Sequence, residues 1–217
     1  MKLLVTAGPT HEAIDPVRYL ANRSSGKMGF ALAGRAAARG WQVILIAGPV
    51  NLATPAGVRR VDVVSAADMY AAVAANLDGC AAAILAAAVA DFRPVHPATH
   101  KIKKSPGTAR MTLELEKTPD ILGSMRAPLG FTGILAGFAA ETENLPANAA
   151  GKLRRKDCDL LVANDVSRSD IGFGSDANEV TILFRDSRPA ESLPRLPKDA
   201  VAEIILDRIA ALASNRP

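Results

Sequence analysis

The chain has 217 residues, with 26 Lys and Arg against 22 Asp and Glu, a formal net charge of +4. Its 49% hydrophobic and 22% charged content excludes intrinsic disorder, and its length sets one domain, residues 1–217, able to bury a core of its own. Aromatics are only 4%, too few for a base-stacking platform, and so small a charge excess selects no DNA but permits anionic small molecules.

The elements follow in chain order. Leu3–Ala7 is a first apolar strand, ending in Gly8-Pro9-Thr10. Gly26–Arg39 has a helical rhythm closed by Gly40, and Ser24 or Ser25 is placed to cap it. Val43–Ala47 and the shorter Val61–Val64 are strands, Ala66–Leu77 is a helix capped by Ser65, and Ala82–Val89 is a wholly apolar central strand. Phe92–Glu116 then breaks the pattern. It holds prolines, the cluster Lys101-Ile102-Lys103-Lys104 and a short alternating run, Met111–Leu115. It reads as a flap, and excursions of this length serve function or an oligomer contact. Ile134–Phe138 is a strand, about Thr142 to Lys156 a helix, Asp159–Ala163 and Val180–Phe184 the last strands, and Asp199–Ala213 a closing amphipathic helix. The proline-rich Ser187–Pro197 reads as an exposed connection.

Strands alternating with helices imply an α/β fold, a mostly parallel sheet with helices on both faces. In such sheets ligands bind beyond the carboxyl ends of the strands. The segments there carry the unusual residues. Asn22-Arg23-Ser24-Ser25-Gly26-Lys27-Met28-Gly29 sets hydroxyls and glycines before a helix, where free backbone N–H groups and the helix dipole receive an anion. It lacks the upstream glycine and the hydroxyl after the lysine that a Walker loop needs, and the chain has no dinucleotide glycine fingerprint. Asp91 closes the Ala82–Val89 run, as a turn residue or as a ligand or Mg²⁺ contact. Lys101–Lys104 is a solvated face or a basic flap over a polyphosphate. In Lys117–Leu122, Thr118 is placed as a helix cap and Pro119 in the first turn. Glu141 ends another strand, Lys152 and Lys156 share one helical face, and Ala163–Val166 and Phe173–Val180 either serve a site or shape a loop. Cys80 and Cys158 have no close-spaced partner and read as buried thiols. Pro97 argues against a helical zinc pair of His96 and His100. No signal peptide or membrane-length apolar run is evident, so the expected location is the cytoplasm.

Taken together these stretches, in this order, resemble bacterial-type phosphopantothenate–cysteine ligase of coenzyme A biosynthesis. The resemblance runs from Val5 to the last helix and includes Thr6–Thr10 with Ile14–Arg18, Asn22–Gly29, Ala87–Asp91, Lys101–Lys104, Pro119–Leu122, Gly137–Thr142, Lys152–Lys156, Ala163–Val166 and Phe173–Val180. It departs at Pro9, Phe92 and Thr118, where Gly, Tyr and Asn are common. The resemblance implies a Rossmann-like sheet with a dimerisation flap. It implies that the carboxylate of 4′-phosphopantothenate attacks the α-phosphate of CTP, giving an acyl-cytidylate and pyrophosphate, and that L-cysteine then displaces CMP.

It further implies site roles. Asn22 would hold the acyl-nucleotide and Lys101 would meet the triphosphate, both as catalytic residues. Leu85, Ala86, Ala87 and Asp91 would bind the nucleotide, Asp91 alternatively its Mg²⁺. Pro119, Asp120, Ile121, Leu122 and Phe138 would line the nucleotide site, and Lys152 and Lys156 would add phosphate contacts. Ser24, Ser25, Gly26, Lys27 and Gly29 would take the phosphate or neighbouring anions of the acid. A homodimer with composite sites is implied, with a flavin-dependent decarboxylase in trans or on a longer parent chain. The chain then reads as a free-standing ligase or an excised domain. Two other readings remain open: an NAD(P)-dependent oxidoreductase, against which the absent glycine fingerprint and Tyr-x-x-x-Lys pair speak, and a non-catalytic nucleotide-binding regulator.

Overall fold

Strands buried on both faces must be apolar at every position, and the sequence supplies such runs. In the computed structural model, which describes residues 1–104, 109–141, 145–165, 174–186 and 188–214, they form the middle of an eight-stranded sheet. The elements are β1 (Lys2–Ala7), β2 (Glu12–Ala13), β3 (Tyr19–Leu20), α1 (Lys27–Ala38), β4 (Gln42–Ala47), β5 (Val58–Asp62), α2 (Ala66–Asn76), β6 (Ala82–Leu85), β7 (Phe92–Pro94), β8 (Leu115–Lys117), α3 (Ile121–Ser124), β9 (Ile134–Glu141), α4 (Leu145–Arg155), β10 (Leu160–Asp165), β11 (Ala177–Phe184), β12 (Glu191–Pro197) and α5 (Lys198–Ser214). The strand order is β12-β11-β10-β9-β6-β1-β4-β5. From β5 to β10 all neighbours are parallel, and β10, β11 and β12 are antiparallel.

Side chains that alternate along each strand sort into two cores. Leu3, Val5, Leu160, Val162, Val180 and Ile182 pack under α1 and α5. Leu4, Ile44, Leu135, Leu161 and Ala163 pack under α2, α3 and α4. Leu3, Leu4, Leu45, Ile84, Leu135, Leu160 and Leu161 are fully buried, each worth about 1.5–3 kcal/mol of transfer free energy. The sheet is therefore a rigid base with its carboxyl edge held between two helix layers.

Several expectations are corrected. Ser187–Pro197 is not only a connection: from Glu191 it is the edge strand β12. Pro194 is tolerated because the register shifts beside it, between Asn178 and Val180 on β11, and a bulge on an edge strand needs no N–H there. The central strand stops at Leu85, not Val89. Beyond it the chain is held by single bonds, Ala87 N–H to Thr6 Oγ1 (3.2 Å) and Ala90 N–H to Thr10 Oγ1 (3.0 Å), with one bridge between Pro9 and Ala88. The flap strand is β8, Leu115–Lys117, rather than Met111–Leu115, and it pairs with β7. The third strand begins at Val58. Thr142, Val166, Phe173 and Ser187 lie outside the described residues.

The helix caps also differ. Gly26, not a serine, is the N-cap of α1, at φ 77° and without a side-chain cap bond. Left-handed backbone is open to glycine at little cost. Asp120, not Thr118, caps α3, accepting from Gly123 N–H at 2.9 Å. Thr118 instead donates its hydroxyl to Ala90 O, and its N–H to Asp91 O at 3.0 Å. That pair ties the return of the flap to the end of the β6 segment.

Candidate functional site

Beyond the carboxyl ends of β1, β6, β9 and β10 lies a cleft of about 740 Å³. It is lined by Asn22, Ser24–Gly29, Leu85–Val89 and Asp91, by Lys117–Leu122, and by Phe138, Lys152 and Lys156. Every site residue expected from the sequence except Lys101 is therefore brought to one cavity. Lys101 does not line the cleft of its own chain. Its segment is pinned elsewhere, by Ile102 N–H to Asp15 Oδ2 (3.0 Å) and Arg18 Nη2 to Ile102 O (2.9 Å).

The sheet divides the cleft into two halves. Over the α1–α5 face stands the start of α1. Gly29 packs against β1 so closely that a Cβ there would lie 2.4 Å from Ala7 Cβ. Only glycine brings the helix start down onto the strand end, and with it the free N–H groups that favour an anion. Over the other face stand α3 and α4. Lys152 Nζ donates to Phe138 O at 2.9 Å, and Lys156 pairs with Asp120. Burial pushes the Asp120 carboxyl up, but Lys156, the Gly123 N–H and Lys152 outweigh it and hold it below its ordinary range. Arg155 lines the same wall. The Phe138 side chain packs into the α1–α5 core, so it stands beneath the first half and not beside the lysines.

Asn22 sits between the halves. Its Nδ2 donates to Ala88 O (3.1 Å) and Val89 O (3.0 Å). Both amide hydrogens are committed, so the orientation of the carboxamide is fixed and its oxygen can serve only as an acceptor. Asp91 is exposed at the rim. Among the described residues no three His, Cys, Asp or Glu side chains gather as a metal cage. A lone carboxylate at the rim of a cleft with an anion-favouring helix start still fits Mg²⁺, which binds through one or two carboxylates plus phosphate oxygens and water.

The sequence does not place Lys198 in the site and leaves the stretches of Asn164 and Asn178 open between serving a site and shaping a loop. All three line the cleft over the α1–α5 face. Lys198 is buried, 8% exposed. Its Nζ donates to Ser175 O, to Ala177 O (3.2 Å) and to Asn178 Oδ1 (2.8 Å). Burial, then the Lys27 charge, lower its pKa to about 8. Lys27 reaches the same turn, donating to Gly174 O (2.9 Å) and Asp176 Oδ1 (2.6 Å). A lysine in the first turn of a helix opposes the helix dipole, which is the one signal in the sequence that Lys198 has another task.

Residues 1–212 match the family described as DNA/pantothenate metabolism flavoprotein C-terminal domain. The chain belongs to this family. Among its relatives, the coenzyme A biosynthesis bifunctional protein CoaBC of Bacillus subtilis is 49% identical over 214 residues, 98% of this chain and 52% of that protein. The CoaBC of Vibrio cholerae is 46% identical over 208 residues, 96% of this chain and 52% of that protein. The chain thus spans about half the length of these curated relatives. A crystal structure of the C-terminal domain of CoaBC superposes with a TM-score of 0.83 at 39% identity, covering 99% of this chain and 96% of that one. The complex of a Cab2 variant with phosphopantothenate-cysteine shares the fold, with a TM-score of 0.79 at 19% identity. The α/β fold read from the sequence is therefore the family's fold. Among the described residues no helix is long and apolar enough to cross a membrane.

Proposed function

We propose that the chain is a phosphopantothenate–cysteine ligase that uses CTP, forming 4′-phosphopantothenoyl-L-cysteine through an acyl-cytidylate and releasing pyrophosphate and CMP. The observation that carries this reading is the two-sided cleft. An anion-accepting helix start and a basic wall converge on one cavity from opposite faces of the sheet, with Asn22 between them. Membership of a family whose relatives are named for coenzyme A biosynthesis supports it.

The chemistry asks for such a site. A carboxylate must approach a polyphosphate, so cations must neutralise the charge and the two groups must be held in line. In this reading the acid's phosphate is received by Ser24–Gly29, and the nucleotide lies along Leu85–Ala87, Pro119–Leu122 and Phe138. Lys152 and Lys156 neutralise the phosphates. The Asn22 oxygen, fixed by the two carbonyls, accepts from the cysteine amine and orients it at the activated carbonyl. Asp91 would hold Mg²⁺ with the phosphates, which would supply charge neutralisation there. Lys101 acts on the triphosphate from a flap, across the interface of a homodimer. The decarboxylase that the resemblance implies would stand on a parent chain or act in trans, in keeping with relatives named as bifunctional, and the setting is the cytoplasm.

Pyrophosphate release in the presence of 4′-phosphopantothenate, L-cysteine and either CTP or ATP tests the reading. Release with CTP is expected, and none with either nucleotide overturns it. Asn22→Asp should release pyrophosphate once and then stall, with the acyl-cytidylate accumulating. Normal turnover in that variant removes Asn22 from its role.

A further inference from the structure

The turn Gly8-Pro9-Thr10 after β1 ends in a threonine that is fully buried and does not line the cleft. Thr10 Oγ1 accepts from Ala90 N–H at 3.0 Å. That N–H and the Val89 carbonyl belong to one peptide unit. The unit is planar, and it is trans, since among the described residues only Ala127–Pro128 is cis. In a trans unit the N–H and the C=O point to opposite sides. Thr10 therefore holds the plane from the buried side, and on the other side Val89 O accepts from Asn22 Nδ2 at 3.0 Å. Strand β6 has already ended at Leu85, so the ladder does not fix this unit. The stretch at Leu85–Ala87 is held separately by Thr6, with Ala86 N–H on its main-chain oxygen (3.2 Å) and Ala87 N–H on its Oγ1 (3.2 Å). Thr118 holds the unit that follows, through Ala90 O.

We propose that Thr10 is a positioning residue for the cysteine step: its buried hydroxyl fixes the Val89–Ala90 peptide plane, and through that plane the Asn22 carboxamide that receives the cysteine amine. The assignment rests on the ligase reading and deepens it. Without the hydroxyl, the Ala90 N–H is left buried and unpaired, and the plane turns to find another partner. Turning tips Val89 O away from Asn22 Nδ2. The carboxamide is then held by Ala88 O alone, and a group held by one bond swings about it. Its oxygen no longer points where the amine must be, and a misplacement of about 1 Å can cost about 100-fold in rate. The first step does not use that oxygen. There the acid's carboxylate attacks the α-phosphate, and the nucleotide stretch rests on Thr6. Loss of the Thr10 hydroxyl should therefore separate the two half-reactions.

Pyrophosphate release by the full chain, with and without cysteine, tests this in Thr10→Val, which keeps the shape and removes the acceptor, and in Thr10→Ser, which keeps the hydroxyl. Thr10→Ala, without the extra methyl, is measured beside them in case valine does not fit. With CTP and 4′-phosphopantothenate alone, each site should release one pyrophosphate at a rate within about twofold of wild type. With saturating cysteine, turnover in Thr10→Val and Thr10→Ala should fall about 10–100-fold, and the acyl-cytidylate should accumulate in quenched samples. Thr10→Ser should recover turnover to within about threefold. Val73→Ala, in the core under α2, lowers the melting temperature far from this segment and should leave the ratio of the two rates unchanged. Unchanged turnover in both hydroxyl-free variants overturns the assignment. So does a burst slowed as much as turnover in both, no recovery with serine, or the same altered ratio in Val73→Ala. A wild-type chain that gives no burst overturns the ligase reading and this assignment with it. A wild-type chain that turns over, beside a normal Thr10→Val, overturns this assignment alone.

Discussion

Lys198 shows how one residue can set a stability that depends on pH. Its ammonium is buried on three acceptors, and burial lowers its pKa from 10.5 to about 8. Below pH 8 the group is charged both folded and unfolded. Between about 8 and 10.5 the unfolded chain holds the proton and the folded chain does not. The unfolded state then binds more protons, so stability rises with pH across that window. Lys198→Met should remove this rise. The check is the urea midpoint from pH 7 to 10.5 in both proteins, where the wild-type minus variant difference should grow toward alkaline pH. A flat difference would mean that Lys198 titrates as an exposed lysine does.

At the scale of elements, the corner formed by β2, β3 and the turn between them carries the basic flap. Asp15 is buried and accepts from Val17 N–H (2.8 Å), Arg18 N–H (2.9 Å), Arg18 Nε (3.1 Å) and Ile102 N–H (3.0 Å). The Arg18 guanidinium holds its carboxyl far below the usual carboxylate range. Its contribution is thus complete at neutral pH and is lost only as pH falls below about 4. Asp15→Ala leaves several N–H groups without their acceptor and should cost about 1–3 kcal/mol of stability. It should also raise the KM for CTP, because the Lys101 segment loses its anchor, and leave the KM for cysteine near wild type. Steady-state kinetics with each substrate varied in turn checks this. The elements were unequally legible in the sequence. Buried strands such as Leu3–Ala7 and Val43–Ala47 were plain, since a strand covered on both faces must be apolar throughout. β12 was not, because its prolines mark a loop unless the edge position and the bulge are known. The caps misled for a related reason: Ser24 and Thr118 have the right chemistry, but Gly26 and Asp120 have the backbone positions. Asn22 and the Ser24–Gly29 start stood out by composition, whereas Lys198 needed the fold to show what it reaches.

At the scale of the whole molecule, Lys101 poses the question of what completes the site. It lies outside its own cleft, on a segment fixed to the Asp15–Arg18 corner. The surface around that segment is unusually apolar. Val17, Tyr19, Phe92, Met111 and Leu115 are 43–57% exposed, and all belong to the corner or the flap, where β2 packs beside β7. A second copy of the chain covering this surface would bury those side chains and carry each Lys101 toward the partner's cleft. Interfaces of this kind are isologous, so each copy gives what it receives. The arrangement has a quantitative signature. Asn22→Ala and Lys101→Ala should each be inactive alone. When they are mixed and exchanged, half of the dimers are mixed, and each mixed dimer has one site with both groups intact and one with neither. Activity should then return to about a quarter of wild type. If Lys101 served its own cleft, every site in the mixture would lack one group and no activity would return. Sedimentation of the mixture confirms that exchange has occurred, and the rate of pyrophosphate release decides between a shared site and two separate ones.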